Sequence, residues 1–458
     1  MSAVLLIAIP LLAAFISILF KKYSIYLLFA VTIFNIANVF LATEGIVIIG
    51  GFSPPLGISL LVDTYSKIAL LLVNALVLVI AALNVKAYPK YGTILLLVVA
   101  GLNGLVLTND LFNFFVFLEI SGIAAYLITA SNKKPISTFR YLVIGAIGSS
   151  LFLLGLIILY SMFGTLNMVD MIKEIALNNN YQELVLPFTL MFIGLGVEAK
   201  LLPFNSWVKG ILGHSNTFSG PMIASVYASA MGFVLGRFIT NLFNFEGMLL
   251  TVVLVILVAG IVLSDIMAFA SKKSREILLF SSVAQASMIA LLFVNGIIIW
   301  AVYLIIANAL SKTVMFMIIN KAQKDVGSDE VKSLQGLFAN NLVIGIIFTI
   351  ATLSVMGLPL LVGFTIKLNF LTELADAGQI WTIAFILVAS VVEGIYFVKL
   401  LLKLWYPEGN LIKVDYHLSF KLVFAVIALA LLTFGVYQAP LDKLDDTVDT
   451  VMEVVNNG

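Results

Sequence analysis

The sequence predicts an all-α integral membrane fold of about fourteen transmembrane helices, and three observations carry that expectation. Apolar residues make up 62% of the 458 positions, charged residues 11%, and mean hydropathy is +1.14. Apolar runs of about 20 residues, enough to cross a bilayer core of roughly 30 Å, recur along the whole chain. The basic residues gather in alternate loops between those runs. A water-soluble domain has no means of covering so much apolar surface.

In chain order the spans are Ser2–Phe20, Ser24–Leu41, Ile68–Val85, Tyr91–Thr108, Leu111–Thr129, Tyr141–Phe163 and Leu184–Leu202 in the first half. The second half gives Pro221–Ile239, Met248–Phe269, Ile277–Val294, Ile297–Ile319, an interrupted stretch Leu342–Leu371, Ile380–Leu402 and Leu418–Val436. The first run has no basic region before it and no small-residue cleavage site after it, so it reads as a retained span. Loops after odd-numbered spans hold most of the basic residues, among them Lys21, Lys22, Lys133, Lys134, Lys272, Lys273, Lys321 and Lys324, whereas even-numbered exits hold little beyond Lys173 and Arg237. By the positive-inside rule this puts the odd exits in the cytoplasm, both termini outside, and the chain in the cell membrane. No polar stretch is long enough for a soluble domain, and the acidic tail from Asp442 reads as a solvated end.

Composition also excludes several function classes. A net charge of +1 with no long basic run gives no field for nucleic acid. The absence of cysteine removes disulfides, thiolate-bound iron–sulfur clusters and c-type haem, and His214 and His417 are the only histidines. No nucleophile–base set, metal-ligand cluster or phosphate-cradling glycine motif is present, so an active site within this chain is not expected.

Two helices should break. The seventh span ends in Glu198-Ala-Lys-Leu-Leu-Pro203, and the twelfth contains Gly357-Leu-Pro-Leu-Leu-Val-Gly-Phe-Thr-Ile-Lys367. Proline removes a backbone donor and clashes with the preceding turn. Paired breaks at membrane depth mark ion paths in transporters. The breaks lie five spans apart, an odd number, so residues 91–240 and 247–405 would enter the membrane from opposite sides as two inverted five-helix repeats. They follow an N-terminal group over 1–90 and precede a last span with its tail over 406–458.

An ionisable side chain at the centre of a membrane helix costs about 2.5–3.5 kcal/mol on insertion scales, so each one retained is a candidate for function. The candidates are Glu119, Glu198, Lys200, Lys312, Lys367 and Glu393. Asp63, Lys67, Asp110, Arg237 and Asp265 fall close to span ends, where capping or snorkelling accounts for them. Glu119 stands out because its span otherwise reads Leu-Phe-Asn-Phe-Phe-Val-Phe-Leu before it.

These motifs resemble a family: the antiporter-like subunits of respiratory complex I, of Mrp cation/proton antiporters, and of membrane-bound hydrogenases and sulfur reductases. Asn109-Asp-Leu-Phe-Asn-Phe-Phe-Val-Phe-Leu-Glu119 is similar to the family's fifth-span motif. Pro203-Phe-Asn-Ser-Trp207 resembles Pro-Leu/Phe-His-x-Trp, Asn308-Ala-Leu-Ser-Lys312 resembles His-x-x-x-Lys, and Leu358-Pro-Leu-Leu-Val-Gly-Phe-Thr-Ile-Lys367 resembles Pro-Pro-x-x-Gly-Phe-x-x-Lys. The resemblance implies roles for Glu119, Lys312 and Lys367 as successive proton or cation sites, and His214 falls near a family histidine.

Departures accompany it. The family's seventh-span lysine lies five residues before the proline, where this chain has Glu198, with Lys200 three before it. Two residues turn a helical side chain by roughly 200°. Family histidines stand here as Asn205 and Gln285, and the eighth-span lysine is absent from Ala228-Ser-Ala-Met-Gly-Phe. Three readings stay open: Lys200 reaches Glu119 by local unwinding, Glu119 and Glu198 form a carboxylate pair or a Na⁺ site, or this half is inactive.

The expected function is an ion-translocating subunit of a multi-subunit respiratory complex, passing H⁺ or Na⁺ along a buried Glu/Lys row. Its redox chemistry would sit on partner subunits carrying iron–sulfur or nickel–iron centres. The alternatives are a component of an Mrp-type antiporter without redox partners, or a membrane scaffold with a degraded ion path.

Overall fold

The computed structural model describes residues 3–86, 91–177, 181–243, 245–407, 412 and 414–436; Lys90, Lys413 and the acidic tail from Asp442 lie outside them. The chain is an all-helical membrane protein with one short β-hairpin, and among the described residues ten helices are long and apolar enough to cross a membrane. The elements are α1 (Leu5–Leu19), α2 (Ser24–Leu41), β1 (Gly45–Ile48), β2 (Ser59–Val62), α3 (Thr64–Asn84), α4 (Gly92–Leu107), α5 (Leu111–Thr129), α6 (Pro135–Phe163), α7 (Met168–Leu177) and α8 (Tyr181–Glu198). There follow α9 (Val208–Leu212), α10 (Ser219–Leu242), α11 (Gly247–Ala270), α12 (Ser274–Val294), α13 (Ile298–Val326), α14 (Leu342–Met356), α15 (Val362–Asp376), α16 (Ile380–Trp405) and α17 (Leu418–Val436). The hairpin and α7 are not anticipated by hydropathy, since both lie in connections between spans.

Helix ends follow local chemistry. Asp63 caps α3: its side chain accepts from the Ser66 amide at 2.7 Å while Ser66 Oγ accepts from the Asp63 amide at 2.9 Å. Asp110 caps α5 by accepting from the Asn113 amide at 2.7 Å. α6 begins with Pro135 in its first turn and stops at Gly164, and α14 stops at Gly357, both glycines left-handed.

The fold divides into two compact units. Among the described residues, one holds those up to Lys200 together with Ser229–Leu250; the other holds Leu201–Ala228 and those from Thr251 to Val436.

In the first unit, buried amides tie α1 to α4. Asn35 Nδ2 donates to Asn74 Oδ1 at 3.0 Å, Asn74 Nδ2 to Asn103 Oδ1 at 3.0 Å, and Asn103 Nδ2 to the Leu6 carbonyl at 2.8 Å. In lipid, where apolar burial gives helices little reason to associate, such bonds and close backbone approach do the joining. The α6–α8 contact uses the second device: a Cβ added at Gly194 would sit 2.5 Å from the Gly148 carbonyl, and one at Gly148 would sit 2.9 Å from Val197 Cβ. Gly194→Ala must therefore push two backbones apart. The expected cost is about 1–3 kcal/mol, read as a lowered melting temperature in detergent. An unchanged melting temperature would count against this contact.

In the second unit α12 and α13 are almost wholly covered, 83% of each apolar window being buried, whereas α11 is 28% and α17 22% buried and carry their apolar faces outward. Asn320 of α13 locks this core. Its Nδ2 donates to Ser215 Oγ at 3.1 Å and to the Asn216 carbonyl at 2.8 Å, and its Oδ1 accepts from Arg275 Nε at 2.8 Å.

Candidate functional site

Each unit buries its own group of charged side chains. In the first unit, Glu119 lies on the middle of α5, half-buried, and its carboxylate makes no hydrogen bond or ion pair among the described residues. Two turns further along the same face stands Tyr126. Glu198, the last residue of α8, is only 2% exposed. Its carboxylate and the Tyr126 hydroxyl converge over Gly145 of α6: a Cβ there would approach Glu198 Oε1 to 3.0 Å and collide with the phenol oxygen. Tyr126 lies within electrostatic reach of both Glu198 and Glu119, and Tyr141 packs edge-on against it with ring centroids 4.6 Å apart. Gly145 thus leaves the space in which the Tyr126 phenol stands beside the Glu198 carboxylate.

Lys200 is as deeply buried as Glu198, at 2% exposure, and takes φ +65°, in the left-handed region that non-glycine residues rarely adopt. Because α8 stops at Glu198, the helical spacing that separates residues 198 and 200 on paper does not apply at Lys200. Leu360, one residue past Pro359 in the Gly357 to Val362 connection of the second unit, has φ +73°. Strain of this kind, about 1–3 kcal/mol per residue, persists where surrounding structure enforces it, often at functional sites.

In the second unit four charged side chains share one interior. Lys367 of α15 pairs with Glu393 of α16, Nζ to Oε2 at 2.7 Å, and also donates to the Met356 carbonyl at 2.9 Å. That carbonyl is the last of α14, freed by the turn at Gly357, so the interruption supplies the lysine with an acceptor. Gln285 of α12 donates Nε2 to Glu393 Oε1 at 3.0 Å. Lys312 of α13, fully buried, donates to Ser281 Oγ at 2.7 Å and lies 5.6 Å from the Phe397 ring centroid. Asp265 of α11, 3% exposed, accepts from the Tyr396 hydroxyl at 3.0 Å, and lies within electrostatic reach of Glu393, Lys367 and Lys312. Four ionisable side chains so close together and so little exposed are coupled, so gain or loss of one proton at any of them disturbs the other three.

The structure therefore brings together Lys312, Lys367 and Glu393 from the sequence candidates, and separately Glu198 with the neighbourhood of Glu119. It does not bring His214 into either group. That imidazole is exposed, with Nδ1 3.1 Å from the Gly210 carbonyl. Sequence reasoning set Asp265 aside as lying near a span end; it does lie close to the end of α11 at Ala270, but its carboxylate is buried rather than snorkelling outward. Tyr396 and Ser281 were also passed over; the usable signals were Tyr396 three residues after Glu393 and Ser281 four before Gln285, each pair on one helix face. Asp63 and Arg237 meet as a buried ion pair in the first unit, both Asp63 oxygens 2.8 Å from Arg237 Nη2.

Comparison with known proteins gives a consistent result. Residues 108–393 match the family model described as NADH:quinone oxidoreductase/Mrp antiporter, transmembrane. NADH-quinone oxidoreductase subunit N of Desulforudis audaxviator is 29% identical over 369 residues, 77% of this chain and 74% of that protein. A Na⁺/H⁺ antiporter subunit of Alkalihalophilus pseudofirmus is 26% identical over 398 residues, 80% of this chain and 78% of that one. Among solved structures, a chain of an archaeal membrane-bound sulfane sulfur reductase, a respiratory membrane complex, superposes with TM-score 0.91 at 27% identity over 99% of both chains.

Proposed function

Because the chain belongs to the NADH:quinone oxidoreductase/Mrp antiporter transmembrane family, we propose that it is an ion-translocating subunit of a multi-subunit respiratory membrane complex. In this reading H⁺ or Na⁺ moves between the buried charged sites built on Glu119, Glu198 and Lys200 and on Lys312, Lys367 and Glu393, driven by redox chemistry on partner subunits. Those partners hold the iron–sulfur or nickel–iron centres, for which this cysteine-free chain has no thiolate ligands. The observation that carries the reading is the cluster of Lys312, Lys367, Glu393 and Asp265 in the interior of the second unit, since ionisable groups at membrane depth are costly to keep without a use. His214 stands in this scheme as a surface group rather than an interior station.

Fourteen spans, a break in the seventh and twelfth, inverted repeats over 91–240 and 247–405, termini outside and residence in the cytoplasmic membrane complete the proposal. Glu119 and Glu198 act as a carboxylate pair bridged by Tyr126, one of them holding a proton or both facing a cation. A second reading, an Mrp-type antiporter component that uses an existing gradient, draws support from the similarity to the Alkalihalophilus protein.

The test is reconstitution of the complex, purified with its natural partners, in sealed vesicles, following acidification and radioactive sodium uptake for wild type and Glu119→Gln. Loss of coupled transport in the variant is expected, by at least about tenfold. Transport at the wild-type rate sinks the reading in favour of a scaffold. Iron–sulfur proteins in the preparation support the redox-driven form; transport driven by an imposed gradient with no such partners supports the antiporter form.

A further inference from the structure

Leu360 keeps its left-handed backbone, φ +73°, although its side chain is 72% exposed, so packing of that side chain is not what enforces it. The restraint comes from the last helix. Gly435 of α17 lies directly against the connection between α14 and α15. A Cβ added there would sit 2.5 Å from the Leu360 carbonyl oxygen, 2.5 Å from the Leu361 carbonyl carbon and 2.6 Å from the Val362 amide nitrogen. Side chains do not approach backbone so closely, so the position admits only glycine unless the connection moves. Thr365, in the first turn of α15, donates its hydroxyl to the Gly435 carbonyl at 3.4 Å.

The connection has little slack elsewhere. A Cβ at Gly363 would collide with the Ser354 carbonyl of α14, and one at Gly357 would come within 2.6 Å of Lys367 Cδ. The aliphatic stem of Lys367 therefore lies on the turn itself, and its Nζ donates to the Met356 carbonyl at 2.9 Å where that turn begins. A close-packed interior passes such a displacement on instead of absorbing it, so a shift of Leu360–Val362 reaches the start of α15 and the lysine.

We propose that Gly435 is a positioning residue: through backbone contact, α17 clamps the interruption between α14 and α15 and so fixes where Lys367 meets Glu393. The role rests on the ion-translocation reading above. It brings into the working site a helix that supplies none of the four charged side chains, and it gives the strained Leu360 a use: the left-handed turn lets the connection pass beneath a glycine of α17.

The experiment reconstitutes the complex, purified with its natural partners, in sealed vesicles and measures ion movement per assembled complex and melting in detergent. The variants are Gly435→Ala, Lys367→Met and the two together. Gly435→Ala should slow transport by at least about tenfold, since small misplacements of a working group carry penalties of that order. The melting deficits of the two single variants should fall short of additive in the double variant, because both act on one ion pair. A packing role alone gives additive deficits, and additivity overturns the proposal. So does transport at the wild-type rate in Gly435→Ala while Lys367→Met is dead. Wild-type transport in Lys367→Met overturns the ion-translocation reading itself, and the clamp with it. Should Gly435→Ala not assemble, the same comparisons are made with Leu360→Gly added throughout, where the freer backbone lets the residue 360 carbonyl turn away from the new methyl group.

Discussion

Glu393→Gln is expected to abolish coupled transport and to lower stability by about 3–5 kcal/mol, the usual consequence of leaving one buried charge without its partner. The substitution keeps the shape of the side chain and an oxygen for Gln285 Nε2, so the loss isolates the charge. Lys367 then faces the Met356 carbonyl at 2.9 Å with no anion beside it. Adding Lys367→Met to the same chain should restore most of the melting temperature, because a buried ion pair exchanged for apolar or neutral groups of similar volume costs little. Transport should stay absent. Melting curves of the detergent-solubilised complex and vesicle acidification read the two effects separately. Transport by the single variant at the wild-type rate would remove Glu393 from the ion path. A double variant as unstable as the single one would mean the pair holds α15 to α16 in some further way.

Asp63→Ala should give a comparably large loss of stability by a different route. Arg237 loses both of its 2.8 Å contacts, about 3–5 kcal/mol, and α3 loses its cap, about 1 kcal/mol more. What remains for the guanidinium is the Val106 carbonyl at 3.4 Å and the Tyr65 ring, 5.4 Å from centroid to Cζ. Asp63→Ala with Arg237→Met should recover the pair's share and leave only the cap's, and vesicles carrying the double variant should transport normally. Transport failing with the fold intact would move Asp63 and Arg237 from the structural pairs to the ion path. The two experiments together separate buried charge that carries ions from buried charge that joins helices.

Much of the architecture was legible in the chain because hydropathy is a local signal. The run Leu111–Thr129 was read with the helix's own ends, and Gly92–Leu107 and Ile380–Trp405 lie within a few residues of the spans expected for them. Connections between the long apolar runs carried no such signal, which is why the hairpin Gly45–Ile48 with Ser59–Val62 and the helix Met168–Leu177 went unread. The same logic divides the candidate sites. Glu119, Glu198, Lys312, Lys367 and Glu393 announced themselves by charge in apolar surroundings. Asp265 did not, because it lies little more than a turn from the end of its helix, where a charge is easily explained, and only the packing around it buries the carboxylate.

The sequence by itself determined that this chain is a helical membrane protein, where its long apolar runs lie, and which ionisable residues stand inside those runs. Those properties follow from composition and from neighbours within one helix. Only the tertiary structure decided which charges meet. Glu393 finds Gln285 from 108 positions away, and Tyr396 finds Asp265 from 131 away. Nothing in a local run of residues specifies those partners, because helix packing sets them after each helix has formed. Lys200 shows the same limit at shorter range. Helical spacing would turn it away from Glu198, but the helix has ended before Lys200, and the backbone that follows is set by the fold around it.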